Sequence, residues 1–264
     1  MIDKTQLAND LTLVREKSPL VHNITNYVVM NNTANALLAV GASPVMAHAC
    51  EEVEAMVGIA SALVINMGTL SPQWVDAMLL AGKAAKTKGI PVVFDPVGVG
   101  ATPYRDETAA KIIEQCKPTI IRGNASEIMA LAKENVATKG VDSTASSDFA
   151  IDAAKSLAKQ TGAVVVISGE TDFITDGITV LTVSNGSTLM PKVTGMGCTA
   201  SAVTGAFAAI NNNPLTAAAH AMAVMGIAGE IAAERSNGPA SLQLNFIDTL
   251  YSLTSSDVEN RFKA

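Results

Sequence analysis

The sequence predicts a three-layer α/β protein, in which helices cover both faces of a central, mostly parallel sheet. The first observation is that short β-branched runs alternate with longer Ala-rich stretches of helical spacing. The second is composition: 48% of the 264 residues are apolar but only 4% are aromatic, so small and branched side chains dominate. Such side chains allow helices to pack closely on a parallel sheet.

The candidate elements alternate regularly over the first two thirds of the chain. Strands are predicted at 19–24, 43–47, 62–66, 91–95, 119–122 and 163–168, and helices at 31–40, 51–60, 72–88, 106–116, 126–133 and 148–159. Glycines follow four helical patterns, at positions where helices commonly end: Gly41, Gly89, Gly140 and Gly162. Ser71 before Pro72 is a typical start for a helix.

The last third has a different pattern. Residues 172–184 are predicted to form two short strands, because Asp176-Gly177 is a strong hairpin signal. Helices are then expected at 199–210, 215–235 and 244–253. Neither a linker nor a repeat interrupts the sequence, so we expect one domain spanning residues 1–264.

Charge and cysteine content narrow the class of protein. The net charge is −6 and there is no run of basic residues, which argues against nucleic-acid binding. Three widely spaced cysteines, Cys50, Cys116 and Cys198, favour a reducing compartment over a disulfide framework. The sequence shows neither a signal-peptide core nor an uninterrupted apolar stretch of bilayer length, so we expect a soluble, cytoplasmic protein that does not enter a membrane.

A glycine-rich turn at residues 194–198 carries the most chemical information. Its sequence is TGMGC, and a helix of small residues is predicted directly after it. Gly195 and Gly197 allow the backbone to approach a ligand, and the free amides of a helix N-terminus attract anions. The turn is therefore expected to stabilise a phosphoryl group. Cys198 lies at its end, where the helix dipole favours a thiolate that can accept a proton, although a small buried cysteine is equally consistent with the pattern.

The TGMGC turn, late in an α/β chain, resembles the anion hole of ribokinase-like kinases, which usually have an aspartate where this chain has Cys198. With the cysteine, the sequence is similar to the hydroxyethylthiazole kinase family. Further matching segments are HNITN at 22–26, SPVMAHA at 43–49, INMGTL at 65–70, DPVGVGAT at 95–102 and RGNASEI at 122–128. The resemblance implies a ribokinase-like fold. It also implies ATP- and Mg²⁺-dependent phosphorylation of 4-methyl-5-(2-hydroxyethyl)thiazole for thiamine biosynthesis, by a homotrimer with thiazole sites between subunits.

The resemblance assigns the donor side of the site. Asp95 and Glu127 are expected near magnesium, and Arg122 and Ser168 are expected to contact ATP. Asp95 ends a strand, at the sheet edge where ligands bind in open α/β folds. Without the resemblance, Asp95 is equally consistent with a capping residue. The pattern alone favours a first-turn helix residue for Glu127, a surface ion pair for Arg122 and an ordinary turn for Ser168.

The resemblance also assigns the acceptor side. Asn26 and Met46 are expected to bind the thiazole, and Gly195 to approach its hydroxyl through the backbone. Cys198, Gly195 and Gly197 are the expected catalytic residues. An isolated Met is more often core packing, although its sulfur suits an aromatic ring.

Other functions remain open from the sequence. A kinase of a pyridoxal-like or hydroxymethylpyrimidine alcohol, a nucleotide-dependent lyase or dehydratase, and a nucleotide-binding protein without catalysis would each be compatible with this fold. The set of Asp95, Glu127 and Cys198 argues against the last of these.

Overall fold

A computed structural model describes residues 1–135 and 147–264. Its centre is an eight-stranded sheet with the order β2-β1-β3-β4-β5-β6-β7-β8. All pairs from β2 to β6 are parallel, and β6–β7 and β7–β8 are antiparallel. The strands are β1 (Leu20–Ile24), β2 (Ser43–Val45), β3 (Ala62–Asn66), β4 (Val92–Asp95), β5 (Ile120–Asn124), β6 (Val164–Ser168), β7 (Asp172–Thr175) and β8 (Val180–Val183).

Helices pack on both faces of this sheet, as predicted. The described helices are α1 (Lys4–Lys17), α2 (Met30–Val40), α3 (Val53–Ile59), α4 (Pro72–Lys88), α5 (Pro103–Cys116), α6 (Ala125–Asn135), α7 (Ser147–Thr161), α8 (Met196–Ile210), α9 (Pro214–Glu234), α10 (Pro239–Ser252) and α11 (Ser255–Arg261). Alternate residues of one strand enter separate cores: Val64 packs with α8 and α9, whereas Leu63 and Ile65 pack on the other face. The three-layer, mostly parallel architecture is therefore confirmed.

The predicted helix boundaries are confirmed where capping signals are strong. Ser71 Oγ accepts from the Trp74 amide at 3.4 Å, and Pro72 is the first residue of α4. Gly41, Gly89 and Gly162 follow helices in the left-handed conformation, with φ of 103°, 79° and 75°. Gly140 lies outside the described residues.

Several boundaries differ from the prediction. Helices α1 and α11 were not predicted, yet both are capped by side chains, of Asp3 and Thr254. Helix α10 begins five residues earlier than expected. Helix α8 begins at Met196 rather than at 199, because Gly195 already adopts the left-handed conformation that precedes it (φ 85°). The glycine-rich segment is thus largely the first turn of the helix.

Helix α9 is the central helix of one layer. Among the residues that the structure describes, it is the helix long and apolar enough to cross a bilayer, but 83% of its most apolar window is buried inside the protein. It is a core helix. Helix α8 beside it is equally closely packed: a Cβ on Gly205 would lie 2.8 Å from Val64 Cγ2 on the sheet. Ser201 Oγ, near the start of α8, donates to Asp95 Oδ2 at the end of β4, so the N-terminus of α8 lies at the carboxyl ends of the strands.

Candidate active site

The N-terminus of α8 presents unpaired backbone amides. The first hydrogen bond that closes a turn of this helix runs from the Thr199 amide to the Gly195 carbonyl, at 2.8 Å. The amides of Met196, Gly197 and Cys198 therefore lack acceptors within the helix, and no side chain caps them. Together with the helix dipole, they give the positive end of α8 the chemistry of an anion site.

Cys198 lies in this first turn rather than before it. Its sulfur accepts from Asn26 Nδ2 at 3.4 Å. Burial raises the pKa of the thiol above its ordinary value, and the charge of Asp95 raises it further. The amides of Asn66 and Asn26 only partly oppose this rise. Burial therefore acts against the thiolate that a helix N-terminus would favour at Cys198.

A chain of buried polar groups runs from Cys198 to Asp95. Asn26 Nδ2 donates to Asn66 Oδ1 at 2.9 Å, and Asn66 Nδ2 donates to Asp95 Oδ2 at 2.8 Å. Ser201 Oγ also donates to Asp95 Oδ2, at 2.7 Å. Asn66 and Ser201 were not predicted to belong to the site. A polar residue ending the buried strand β3 was the available signal for Asn66, and Ser201 lies one helical turn after Gly197.

Asp95 is almost fully buried, with 1% exposure. Burial raises the pKa of its carboxyl to about 6, although Arg122 and the donated hydrogen bonds act in the opposite direction. Arg122 Nη1 lies 3.9 Å from Asp95 Oδ2, and Arg122 Nη2 donates to Ser168 Oγ. A Cβ on Gly197 would lie 2.7 Å from Arg122 Nη1, so the guanidinium passes directly beside the helix turn. Arg122 therefore links Asp95 and Ser168, two other residues predicted for the ATP and magnesium side, to the glycine-rich turn.

Glu127 joins the loop after β4 to the end of the neighbouring strand β5. Its Oε1 accepts from the Gly98 amide at 2.9 Å, and its Oε2 accepts from the Asn124 amide at 2.8 Å. Asn124 Oδ1 in turn accepts from the Glu127 amide at 3.0 Å, a reciprocal cap at the start of α6. The charge of Glu127 also raises the pKa of Asp95.

Asp95 and Glu127 suit a magnesium ion that keeps most of its water shell better than an ion coordinated directly by several side chains. The described residues contain no group of three or more His, Cys, Asp or Glu side chains arranged to hold a metal. Both hydrogen bonds to Asp95 end on Oδ2, which leaves Oδ1 for another donor. Mg²⁺ keeps several waters and is commonly held by one or two carboxylates and substrate phosphates. The residues present fit that arrangement.

A cleft of about 610 Å³ opens on the other side of Arg122. This volume suits a nucleotide-sized ligand. One wall is the segment 184–191, and Met222, Met225 and Gly226 of α9 form another; Arg122, Ser168 and Gly197 lie at the end next to α8. Asp172 also borders the cleft, and burial raises the pKa of its carboxyl to about 6. Arg122 and Ser168 were predicted to lie here, whereas the 184–191 wall and the α9 residues were not.

Met46 is not part of this hydrogen-bonded set. It follows the edge strand β2 and is half-buried, and its carbonyl lies 3.5 Å from His48 Nδ1. No hydrogen bond or ion pair among the described residues joins its side chain to the other predicted site residues. Asn26 and Gly195, by contrast, both adjoin the first turn of α8.

The sheet order, the exposed amides of α8 and the adjoining cleft define a ribokinase-like small-molecule kinase. Solved structures of pyridoxal kinases share the fold: one from Bacillus subtilis in complex with ADP matches 77% of this chain and 88% of its own, with a TM-score of 0.59 and 22% identity. The structure titled hydroxyethylthiazole kinase protein from Pyrococcus horikoshii OT3 is far more similar, with a TM-score of 0.91, 41% identity, and coverage of 98% and 97% of the two chains.

The sequence relatives give the same result at higher identity. The model of the hydroxyethylthiazole kinase family matches residues 11–256. A hydroxyethylthiazole kinase of Syntrophus aciditrophicus (strain SB) is 61% identical over 95% of this chain and 93% of its own length. One from Brachyspira hyodysenteriae is 56% identical over 98% and 97% of the two chains. The chain belongs to the hydroxyethylthiazole kinase family.

Proposed function

We propose that the protein transfers the γ-phosphoryl group of ATP to the hydroxyl of 4-methyl-5-(2-hydroxyethyl)thiazole, in thiamine biosynthesis or salvage. Family membership supports the reaction, and the position of the first turn of α8 carries the geometric argument. Gly197 of this turn borders the nucleotide-sized cleft, and Cys198 beside it bonds to Asn26 on the opposite side. The ATP site and the thiazole site would thus meet at the free amides in the first turn of α8.

In the proposed mechanism, ATP occupies the cleft with its phosphates towards Arg122 and Ser168. The amides of Met196, Gly197 and Cys198 would stabilise the charge on the transferring group. Asp95 and Glu127 would hold hydrated magnesium, which neutralises phosphate charge when bound. Phosphoryl transfer depends mainly on positioning and electrostatics, so it demands little of a general base.

Cys198 is then a positioning group more than a base. As a thiol, it can exchange hydrogen bonds with the acceptor hydroxyl while Asn26 fixes its sulfur. Gly195 lies between the start of α8 and the proposed thiazole site. A Cβ there would lie 2.7 Å from Val29 Cγ1, so the position requires glycine. Asn26 and Met46, from neighbouring strand ends, would contact the thiazole.

We further propose that the protein is one domain that assembles as a cytoplasmic homotrimer, with the acceptor site completed by a second subunit. Two large apolar side chains directly after Asn26 support this: Tyr27 and Val28 are 66% and 61% exposed in the single chain. Apolar side chains exposed beside a ligand site are typical of a surface that a partner covers.

The test is an ADP-release assay with the thiazole alcohol, ATP and Mg²⁺, with the phosphorylated product identified by mass. Pyridoxal and hydroxymethylpyrimidine are parallel acceptors, because pyridoxal kinases share the fold. We expect the highest kcat/KM with the thiazole alcohol. Preferential turnover of another alcohol would reassign the substrate, and ATP binding without any product would indicate a protein that binds nucleotide without catalysis.

A further inference from the structure

Residues 261–264 hold the wall of the nucleotide cleft from outside. Segment 184–189, between β8 and the short 3₁₀ helix Met190–Lys192, has no regular structure of its own. It nevertheless contributes five consecutive residues to the cleft lining, from Ser184 to Thr188. Loops are usually more mobile than the elements that they connect, so a loop that shapes a ligand site requires fixed anchors.

Asn185 is the main anchor on the loop. Its side chain is buried, with 5% exposure, and bonds to groups of two other elements. Its Oδ1 accepts from the Lys263 amide at 2.7 Å, and its Nδ2 donates to the Arg261 carbonyl at 2.8 Å and to Glu230 Oε1 at 3.1 Å. One amide side chain thus joins the cleft wall to the C-terminal residues and to α9.

Glu230 is the second anchor. Its Oε1 also accepts from the Gly186 amide at 3.1 Å and from Lys263 Nζ at 2.8 Å. The Glu230 side chain is 13% exposed, whereas that of Lys263 is 59% exposed, so the lysine covers a carboxylate that is mostly withdrawn from water. A partly buried carboxylate with three donors on one oxygen is a strong fixed point.

The last two residues complete the attachment. The Ser184 amide donates to the Lys263 carbonyl at 3.0 Å, and Ser184 Oγ donates to the Ala264 carbonyl at 3.3 Å. On the inner side, Gly226 of α9 allows the loop to approach, because a Cβ there would lie 2.5 Å from the Asn185 carbonyl. The loop is therefore held between α9 and the C-terminal residues.

We propose that Lys263 and Ala264, together with Asn185 and Glu230, are positioning residues for the donor nucleotide: they fix the 184–189 wall in the conformation that binds ATP. The inference rests on the proposed placement of ATP in this cleft. These side chains and carbonyls act through the loop rather than on the transferring phosphate. Their loss should weaken nucleotide binding and leave the chemical step and the thiazole side unaffected.

The test compares the full chain with Asn185→Ala and with a chain that ends at Phe262. We expect about a tenfold higher KM for ATP in each, since each loses two or more hydrogen bonds to the loop. The kcat and the KM for the thiazole alcohol should change less than about twofold. Glu230→Gln, which keeps an acceptor for Gly186, should be milder than Glu230→Ala.

Arg261→Ala is the matched control, because Arg261 also joins α11 to α9, through Glu234 at 2.6 Å, but its side chain does not touch the loop. It should leave the KM for ATP unchanged. Hydrogen exchange adds a direct readout: the amides of Ser184 and Gly186 should exchange faster in the shortened chain. An unchanged KM for ATP despite faster exchange would overturn the inference.

Calorimetry with a non-hydrolysable ATP analogue separates the two proposals. If the full chain turns over no thiazole alcohol, the proposed function fails, and the analogue still reports on the loop. An analogue Kd raised about tenfold by Asn185→Ala supports the inference in either case. An equal Kd for Asn185→Ala and the full chain refutes it.

Discussion

Arg122 contacts three parts of the site at once. It lies near Asp95, donates to Ser168 and passes beside Gly197. Its Nε is buried without a hydrogen-bond partner, which is a cost that a protein rarely accepts without a ligand or functional reason. An anion bound at the first turn of α8 would lie within reach of this guanidinium. The arrangement is consistent with a site prepared for phosphate.

Gly197→Ala tests the space beside Arg122. The new Cβ would lie 2.7 Å from Nη1, so the guanidinium must move away from the position that we assign to the phosphates. We expect kcat/KM for ATP to fall by about 10²-fold, as for loss of a transition-state donor. Gly58→Ala in α3 is the control, because a Cβ there meets nothing within 4 Å. Equal kinetics for the two variants would contradict the assignment.

Cys198→Ala tests whether the thiol positions the hydroxyl or removes its proton. Since burial raises the pKa of the thiol, we expect a loss of about tenfold in kcat, the value of one hydrogen bond. The wild-type kcat should also stay level from about pH 7 to the ordinary thiol pKa of about 8.5. A loss beyond about 10²-fold, with an alkaline change in the profile, would restore the base assignment.

Asp95 should produce an acid limb in the pH–rate profile. Its pKa is raised to about 6, so below that pH the carboxyl is neutral and no longer attracts hydrated magnesium. We expect kcat/KM for ATP to decline as pH falls through about 6. Unfolding linked to Asp95 does not explain such a limb. The folded protein binds the proton more tightly than the unfolded chain, so the Asp95 contribution to stability increases as pH falls from about 6 towards the ordinary carboxyl pKa.

Asp172→Asn distinguishes the two buried carboxyls. Asp172 also has a pKa of about 6, and it accepts from the Gly169 amide at 3.0 Å, a bond that asparagine can replace. The acid limb should therefore persist in this variant. Its disappearance would move the titration from Asp95 to Asp172.

At the scale of elements, a buried polar contact joins α1 to the two core helices α8 and α9. His220 Nδ1 of α9 lies 2.7 Å from Asp10 Oδ2, and Asn211 Nδ2, directly after α8, donates to the same oxygen at 2.6 Å. Burial lowers the pKa of His220, so the imidazole is neutral in the folded protein and donates to the carboxylate. Helix α1 is thereby attached at the end of α8 opposite to the site.

His220→Ala should destabilise the protein by about 2–4 kcal/mol, since it leaves a cavity and a buried carboxylate with one partner fewer. Thr12→Ala, on the exposed face of α1, should change stability by less than about 0.5 kcal/mol. Urea midpoints at pH 7.5 measure both. A lowered His220 pKa also predicts that the stability difference between the wild type and His220→Ala shrinks as pH falls below about 6.5, where the unfolded histidine of the wild type binds a proton. The comparison of the two chains cancels the opposite contribution of Asp95 and Asp172, whose raised pKa stabilises the fold as pH falls below about 6. A difference that grows over this range would contradict the assignment.

At the scale of the whole molecule, the proposed trimer is tested by mass. Sedimentation equilibrium should give three times the 27.2 kDa of one chain. Val28→Asp would place a charge on the surface expected to face a partner and should lower that mass. Ile178→Asp, at the exposed tip of the β7–β8 hairpin (86% exposed), is the control and should leave it unchanged. A monomeric wild-type chain would refute the trimer.

The sheet was predictable because its strands are short apolar runs separated by glycine and proline signals. The helix at Lys4–Lys17 was not, because its first residues are polar and its apolar face is formed by few residues. The positions of Asp95 and Ser168 at the ends of strands were predictable, because each follows an apolar run. The anchors of segment 184–189 were not, since Asn185, Glu230 and Lys263 are far apart in the sequence and only packing brings them together. The pKa of Cys198 likewise depends on burial that spacing does not report.

The wide spacing of these segments along the sequence has a consequence for how the protein folds during synthesis. The proposed site uses the ends of β3, β4 and β6 and the start of α8, and the cleft wall contacts Lys263 and Ala264. All of these segments must leave the ribosome before the groups can meet, and contacts between distant segments form slowly. Recovery of ATP binding should therefore be among the last events during refolding, after most of the helix content has returned.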